Sequence, residues 1–235
     1  MTEPIAKPIL GSDDVLARVR DRVAQEAAYE AAYAAAGVTI VDPATTYIDA
    51  GVTIGAGTII EPNTTIRGDS AIGRDCRIGP NTVIERSQIS DRCVVFSSVM
   101  RDSSMDEGSD LGPFGHVRGG SHIGPDVHLG HSVEVNRSRI GRGTKAAHFC
   151  YIADAEVGEN VNFGAGTVTC NYDGENKHPT VIEDGVFVGS DSMLIAPLRL
   201  GRGSRTGAGS VVTRDVPAGK KVAGVPARQT GDSSG

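Results

Sequence analysis

IGAGTIIEPNTTIRGDSAIGRDCRIGPNTV, residues 54–83, repeats itself every six positions. Each unit opens on an isoleucine, from Ile54 to Ile78, and a small or polar residue follows four positions later. A period of six fits neither an α-helix nor a simple alternating strand. It fits a coil of short strands and tight corners, in which the aliphatic residue points inward and glycine eases the corner.

The same unit continues over most of the chain. It returns at Leu111, Val117, Ile123, Ile140, Val157, Phe163, Val188 and Leu200, and the less regular span 84–110 is phased with units at Ile84, Ile89, Val95, Val99 and Met105. Three units make a turn of about 18 residues that rises ~4.8 Å, the spacing of paired strands. The sequence therefore predicts an all-β fold, a parallel β-helix of roughly nine turns.

The two ends of the chain lack the repeat. Residues 12–36 read as a helix that Ser12 caps and Gly37 stops, with apolar residues along one face. The last residues carry no apolar anchor. We therefore predict an N-terminal arm and helix, 1–37, a β-helix domain, 38–228, and a disordered tail, 229–235.

Composition narrows the possible partners and locations. The net charge is −6, which argues against a nucleic-acid partner. No apolar run approaches the ~18 residues of a membrane span, and the N-terminus lacks a signal-peptide core. The four cysteines lack paired metal-ligand spacing, so they are predicted to be buried reduced thiols in a cytoplasmic protein.

Three long stretches carry a resemblance to a known family. They are TKAAHFCYIADAEVGENVNFGAGTVTCNYDGENKH (144–178), GVFVGSDSMLIAP (185–197) and GAGSVVTRDVP (207–217). They resemble the acetyltransferase half of bacterial bifunctional N-acetylglucosamine-1-phosphate uridylyltransferase/glucosamine-1-phosphate N-acetyltransferases, within the hexapeptide-repeat acyltransferases. The resemblance implies a single-stranded left-handed β-helix, a homotrimer, and acetyl-CoA as the donor substrate without a metal. It leaves open whether the chain is a stand-alone version or a fragment of a bifunctional enzyme.

Counting places four candidate residues in one column. Each is the third residue of its unit, and each lies one turn beyond the last: His148, Ala165, Ser190 and Ala208. Four levels span about 14 Å at the strand spacing, which suits an extended thioester arm. The resemblance implies the same assignment, with His148 as the general base and the other three in contact with acetyl-CoA.

One stretch, CNYDGENKHPT (170–180), drops the repeat for polar residues. A β-helix has flat faces, so we expect this loop to build a wall of the site and, in a trimer, to reach a neighbouring subunit. The resemblance assigns Asn171 and Tyr172 to the active centre and to acetyl-CoA. Asn171 would either orient the amine or hold the thioester, and a backbone N–H near Tyr172 could stabilise the oxyanion.

The chemistry expected here is direct transfer. An imidazole with a near-neutral pKa can take the proton of an amine as the amine attacks the thioester. Cys150 and Cys170 lie close to the motif but occupy small-residue or strand positions. No covalent acyl-enzyme is therefore expected.

Two positions depart from the family pattern. The resemblance implies that Arg118, Tyr151, Asn162 and Lys177 bind the sugar phosphate, but Asn136, one turn beyond Arg118, stands where the family has a lysine. Gly224 stands where the family has an arginine near the cofactor. Of the basic residues close to the C-terminus, Arg228, Lys220 or Lys221 could substitute for it. The exact amino-sugar acceptor therefore stays open.

Two other readings remain. The first is a metal-dependent hydratase, because some β-helical trimers bind zinc between subunits through three histidines, and His116, His122 and His128 recur at six-residue spacing. In a triangular coil that spacing sends them to three different sides, so they could not converge within one chain. The second alternative, a non-catalytic or regulatory paralogue, is suggested by Asn136 and Gly224.

Overall fold

The computed structural model describes residues 31–232, and these form one β-helix with three flat sides. Each side is a sheet of parallel strands from successive turns, and we name the sheets A, B and C in the order in which the chain visits them. Sheet B has ten strands, one from each turn, so the coil is about one turn longer than predicted. The predicted all-β fold, a parallel β-helix of hexapeptide repeats, is confirmed.

The strands are short, and most contain two or three residues. Sheet A comprises Thr39–Ile40, Ile59–Ile60, Arg77–Ile78, Val94–Val95, Asp110–Leu111, His128–His131, Lys145–His148, Asn162–Phe163, Phe187–Val188, Arg205–Thr206, Lys220–Gly224 and Ala227–Asp232. Sheet B comprises Tyr47–Ile48, Thr65–Arg67, Val83–Glu85, Val99–Arg101, His116–Arg118, Glu134–Asn136, Tyr151–Ala153, Val168–Cys170, Met193–Ile195 and Val211–Val212. Sheet C comprises Thr53–Ile54, Ala71–Ile72, Gln88–Ile89, Ser104–Met105, His122–Ile123, Arg139–Ile140, Ala155–Val157, Thr180–Ile182 and Leu198–Leu200. A 3₁₀ turn, Pro43–Thr45, precedes the first strand of sheet B.

The interior is a stack of aliphatic side chains. Ile66 pairs with Ile84 on the next turn, and both are fully buried. In the regular six-residue units from Ile54 onward, the residue four positions after the inward one is buried as well. Thr58 shows why a polar residue is suited to this position. Its hydroxyl donates to the carbonyl of Gly73 at 2.8 Å and accepts from the backbone N–H of Cys76 at 3.0 Å. The hydroxyl thus satisfies backbone groups that the tight corner leaves unpaired.

The predicted phase is wrong at one unit. Met100, not Val99, points inward: Met100 is fully buried and pairs with Ile84 below and Val117 above. Val99 faces outward and is half-buried. The unit that begins at Val95 and the unit that begins at Met100 contain five residues rather than six. The prediction gave the first of them only four residues, which moved the inward position from Met100 to Val99.

Both ends of the coil can be compared with prediction. Residues 31–35 are helical, and Gly37 follows with φ +76°, the left-handed conformation expected of a helix stop. The rest of the predicted helix lies outside the described residues. In residues 31–232 no helix is long and apolar enough to cross a membrane.

The predicted disordered tail is wrong for residues 229–232. The strand Ala227–Asp232 turns back and pairs antiparallel with Lys220–Gly224. Its backbone therefore covers the open edge of sheet A at the last turn. The lack of apolar residues did not reveal this strand, because main-chain hydrogen bonds rather than buried side chains hold it in place.

Candidate active site

The four predicted column residues lie at one corner of the coil, where the chain passes from sheet A to sheet B. Pairing of Ala146 with Phe163, and of Phe163 with Val188, sets His148 beneath Ala165 and Ala165 beneath Ser190. The next pairings place Ala208 above Ser190 and Gly224 above Ala208. We call His148, Ala165, Ser190, Ala208 and Gly224 the corner column. Its side chains are small above His148, so the column is an open track along the coil.

His148 stands at the lower end of this track with its side chain exposed. Its ring lies 5.5 Å, between centroids, from the ring of His131 on the turn below and 6.3 Å from that of Phe149. Within residues 31–232 its imidazole makes no hydrogen bond or ion pair, so both ring nitrogens are open to a substrate or to another subunit.

His131 and Phe149 were not singled out from the sequence. Phe149 has φ +34°, unusual for a bulky residue, and its side chain is 51% exposed. Its ring packs edge-on against His131, with 5.6 Å between centroids. The repeat spacing could have identified His131, because it lies one short turn before His148 and the two residues pair directly.

The polar loop leaves the coil at a different corner. It follows the sheet B strand Val168–Cys170 and precedes the sheet C strand Thr180–Ile182, so a whole strand of sheet B lies between it and the corner column. The insertion also lengthens the turn, since Val168 pairs with Met193. Within one chain, Asn171 and Tyr172 therefore do not meet His148.

The loop is an ordered hairpin. Tyr172 and Lys177 form an antiparallel bridge, and the carboxylate of Asp173 accepts hydrogen bonds from the backbone N–H groups of Asn176 and Glu175 at 2.7 and 2.8 Å. His178 contacts the same carboxylate at 2.6 Å. The Asn176 N–H, then His178 and the Glu175 N–H, hold the pKa of Asp173 well below its usual range.

A network fixes the first loop residue. The side-chain amide of Asn171 donates to Asp154 Oδ2, and Arg137 donates to both oxygens of the same carboxylate at 2.7 and 2.8 Å. Hydrogen bonds from Arg137 and then from Asn171 hold the pKa of Asp154 below its usual range. This role of Asp154 was not predicted from the sequence, although Asp154 lies one turn below Asn171 in the repeat.

The predicted sugar-phosphate residues are divided between the faces of the coil. Tyr151 points out from sheet B and Asn162 from sheet A, whereas Lys177 lies on the loop. Arg118 and Asn136 are the last residues of two neighbouring strands of sheet B and stack one above the other, as expected. They lie at the corner from which the loop leaves, three and two turns below it, and apart from the corner column.

The Arg118–Asn136 pair differs from a free anion site. Arg118 donates twice to Glu134 Oε1, at 2.9 and 2.6 Å, so its charge is already compensated. Asn136 is 2% exposed, and its Oδ1 has no hydrogen-bond partner among the described residues. A ligand at this place would therefore meet an Arg118 that is already paired with Glu134 and the unpaired amide oxygen of Asn136.

Three cations lie on the last strands of sheet A, near the upper end of the corner column. Arg205 lies over the ring of Phe187, 5.8 Å from its centroid. Lys221 and Arg228 are exposed, and neither forms an ion pair with any carboxylate in the part of the chain that the structure describes. Lys220, by contrast, is paired with Asp232. Lys221 and Arg228 thus remain the free candidates beside Gly224.

Comparison with known proteins bears directly on this arrangement. Residues 46–86 match the model of the bacterial transferase hexapeptide (six repeats), and residues 179–214 match that of the hexapeptide repeat of succinyl-transferase. A protein named bifunctional protein GlmU from Lactococcus lactis subsp. cremoris (strain MG1363) is 52% identical over 222 residues, which cover 92% of this chain and 48% of that protein.

The chain belongs to the hexapeptide-repeat transferases. The GlmU protein of Thermotoga maritima is 51% identical over 181 residues, 77% of this chain and 41% of the relative. This hexapeptide-repeat transferase therefore spans about half the length of the curated relatives it matches, and the matching part is their C-terminal half. A solved Arabidopsis UDP-N-acetylglucosamine acyltransferase is 18% identical, with a TM-score of 0.48 over 84% of this chain and 73% of that one.

Three evenly spaced histidines and three of the four cysteines of this hexapeptide-repeat transferase lie where the sequence predicts. All four cysteines are free, with Cys76, Cys93 and Cys150 buried and Cys170 partly buried. The three evenly spaced histidines lie on three sheets: His116 on B, His122 on C and His128 on A. In residues 31–232, no group of three or more His, Cys, Asp or Glu side chains is placed to hold a metal ion.

Proposed function

We propose that this chain transfers the acetyl group of acetyl-CoA to the amine of an amino-sugar phosphate, with glucosamine-1-phosphate as the first candidate and N-acetylglucosamine-1-phosphate as its product. The observation that carries the proposal is the corner column, which runs unbroken from His148 to Ala208 in a chain about half identical to the C-terminal half of GlmU proteins. In this scheme the reaction takes place in the cytoplasm.

His148 acts as the general base. It removes a proton from the amine as the nitrogen attacks the thioester carbon, and the coenzyme A thiolate leaves as the tetrahedral intermediate collapses. Burial raises the thiol pKa of Cys150 and of Cys170, which keeps both thiols protonated and poorly nucleophilic. These shifts support direct transfer rather than a cysteinyl intermediate.

Acetyl-CoA lies along the corner column, with its thioester near His148 and its arm against Ala165, Ser190 and Ala208. The small side chains leave room for an extended chain beside the corner. The free cations Lys221 and Arg228 then lie at the far end, where they bind the phosphates of coenzyme A in place of a cation at Gly224. Lys220 is the weaker candidate because Asp232 already compensates its charge.

The working unit is a homotrimer in which the site lies between subunits. Its support is the division of the candidate residues between two corners, with His148 at one and the loop of Asn171 and Tyr172 at the other. One chain cannot close the site, whereas the loop of a neighbour can approach the His148 of this subunit. A backbone N–H near Tyr172 of that loop would stabilise the oxyanion.

A different amino sugar is the second candidate for the acceptor. Glu134 compensates Arg118, and Asn136 supplies an acceptor rather than a cation. Both observations favour a neutral group, such as a hydroxyl, at that place. With a phosphate there, Arg118 would have to exchange its carboxylate partner for the ligand. Tyr151, Asn162 and Lys177 lie on different faces of one chain, so they could add contacts only across the trimer.

A coenzyme A release assay tests the proposal. Purified protein is incubated with acetyl-CoA and a panel of amino sugars and their 1-phosphates, and free thiol is followed together with the mass of the product. We expect turnover with at least one member, and the identity of that member separates the two acceptors. Tight binding of acetyl-CoA with no turnover on any member would instead favour the non-catalytic paralogue.

A further inference from the structure

Asp154 lies where the polar loop leaves and rejoins the coil. The side-chain amide of Asn171, at the start of the loop, donates to its carboxylate. The backbone N–H of Thr180, the first residue of the next strand, donates to its carbonyl at 3.0 Å. One residue of the turn below therefore holds both ends of the loop.

The carboxylate of Asp154 is itself held rigidly. Arg137 contacts its two oxygens at 2.7 and 2.8 Å through Nε and Nη2. Such a paired contact fixes the relative planes of the two groups as well as their separation. The side chain of Asp154 is only 19% exposed, so water competes little for these hydrogen bonds.

An ionised carboxylate decides which way the facing amide points. It can only accept hydrogen bonds, so the NH₂ end of Asn171 must face it. The amide oxygen is thereby turned away from Asp154, with its lone pairs unused by that contact. A neutral amide or acid at position 154 would lose this control, because such a group can both donate and accept.

We infer that Asp154 is a positioning residue, which orients the Asn171 side chain so that its amide oxygen is offered to the reacting substrates. The use of that oxygen rests on the proposed acetyl transfer: an attacking amine carries N–H groups that an amide oxygen can accept. Arg137 acts one step further back, by fixing Asp154.

The chain contains a matched control for this network. Asp102 lies at the same corner three turns below, and Arg86 contacts its two oxygens at 2.6 and 3.1 Å. No loop leaves the coil there, and Asp102 contacts no asparagine side chain among the described residues. Asp102→Asn therefore weakens the same kind of ion pair without touching Asn171.

The kinetic test compares Asp154→Asn with Asp102→Asn in the full chain. We expect Asp154→Asn to lower kcat about 10- to 100-fold, the range expected for a displaced positioning group, with a smaller change in the KM for acetyl-CoA. Asp102→Asn should leave both constants near wild type. An active wild type with equal kcat in the two variants would overturn the inference, whereas an inactive wild type would remove the proposed function on which it rests.

A second measurement follows the orientation itself and needs no turnover. The side-chain NH₂ signals of Asn171 are assigned by their loss in Asn171→Ala and followed by ¹H–¹⁵N correlation spectroscopy. We expect Asp154→Asn to shift these signals and Asp102→Asn to leave them in place. If the Asn171 NH₂ signals keep their chemical shifts in Asp154→Asn, the carboxylate does not hold the amide.

Discussion

Ser190 lies at the same corner as His148, two turns above it, although the polar loop intervenes between them in the sequence. Two strand pairings of sheet A establish this alignment, and the loop does not disturb it because it leaves from the corner between sheets B and C. The coil can therefore carry a long polar insertion and still keep a straight track at another corner.

Replacing His148 tests the base. His148→Ala should lower kcat by about 10²–10⁴ if the imidazole takes the proton of the amine. His122→Gln is a suitable control, because His122 is also partly accessible but lies on sheet C, with its ring between Ser104 and Asp106. An unchanged rate in His148→Ala, or an equal loss in both variants, would remove His148 from the mechanism.

Filling the track tests where the donor binds. Ala208→Trp places a large side chain on the corner column between Ser190 and Gly224, so the KM for acetyl-CoA should rise by tenfold or more. Arg202→Trp adds the same bulk at the corner between sheets C and A, next to Asp184, and should have little effect. Equal KM values in the two variants would contradict a donor laid along this corner.

The sequence predicted the column well because inward positions recur strictly wherever the repeat is regular. It predicted less well where a unit lost a residue, as at Met100, because the spacing alone does not tell which residue is missing. It predicted that the polar loop leaves the repeat at 170–180, but not the corner of the coil from which the loop leaves. A residue's corner depends on its count within the turn, whereas its level depends only on the number of turns.

The Asp154 network could not be predicted from the sequence for a different reason. Its members lie on three successive turns, at Arg137, Asp154 and Asn171, and any outward position in the repeat tolerates a charged residue. These three side chains meet only in the folded chain, where Arg118, one turn further down, contacts Glu134 instead.

The corrected phase near residue 100 predicts unequal effects of two neighbouring substitutions. Met100→Ala should reduce the free energy of unfolding by about 2–5 kcal/mol, because it leaves a cavity between Ile84 and Val117. Val99→Ala should cost about 1 kcal/mol or less, because its side chain faces outward. Chemical denaturation of both variants provides the comparison. A larger loss for Val99→Ala would restore the phase expected from the sequence.

The loop should respond to acid through Asp173. Its carboxyl has a folded-state pKa below the usual value of about 3.9, because it accepts hydrogen bonds from the Asn176 N–H, His178 and the Glu175 N–H. A carboxyl with a lowered pKa stabilises the folded loop fully above the unfolded value, and this contribution falls as the pH drops through the lower folded value.

The amide proton shifts of Glu175 and Asn176 should therefore titrate together, with a midpoint below pH ~3.9. In Asp173→Asn that titration should vanish while amides in the core strand Tyr151–Ala153 keep their shifts. A midpoint at or above pH ~3.9 would mean that the hydrogen bonds of the hairpin do not lower the pKa of Asp173. The loop would then have to be held by its Tyr172–Lys177 bridge and by its anchor at Asp154.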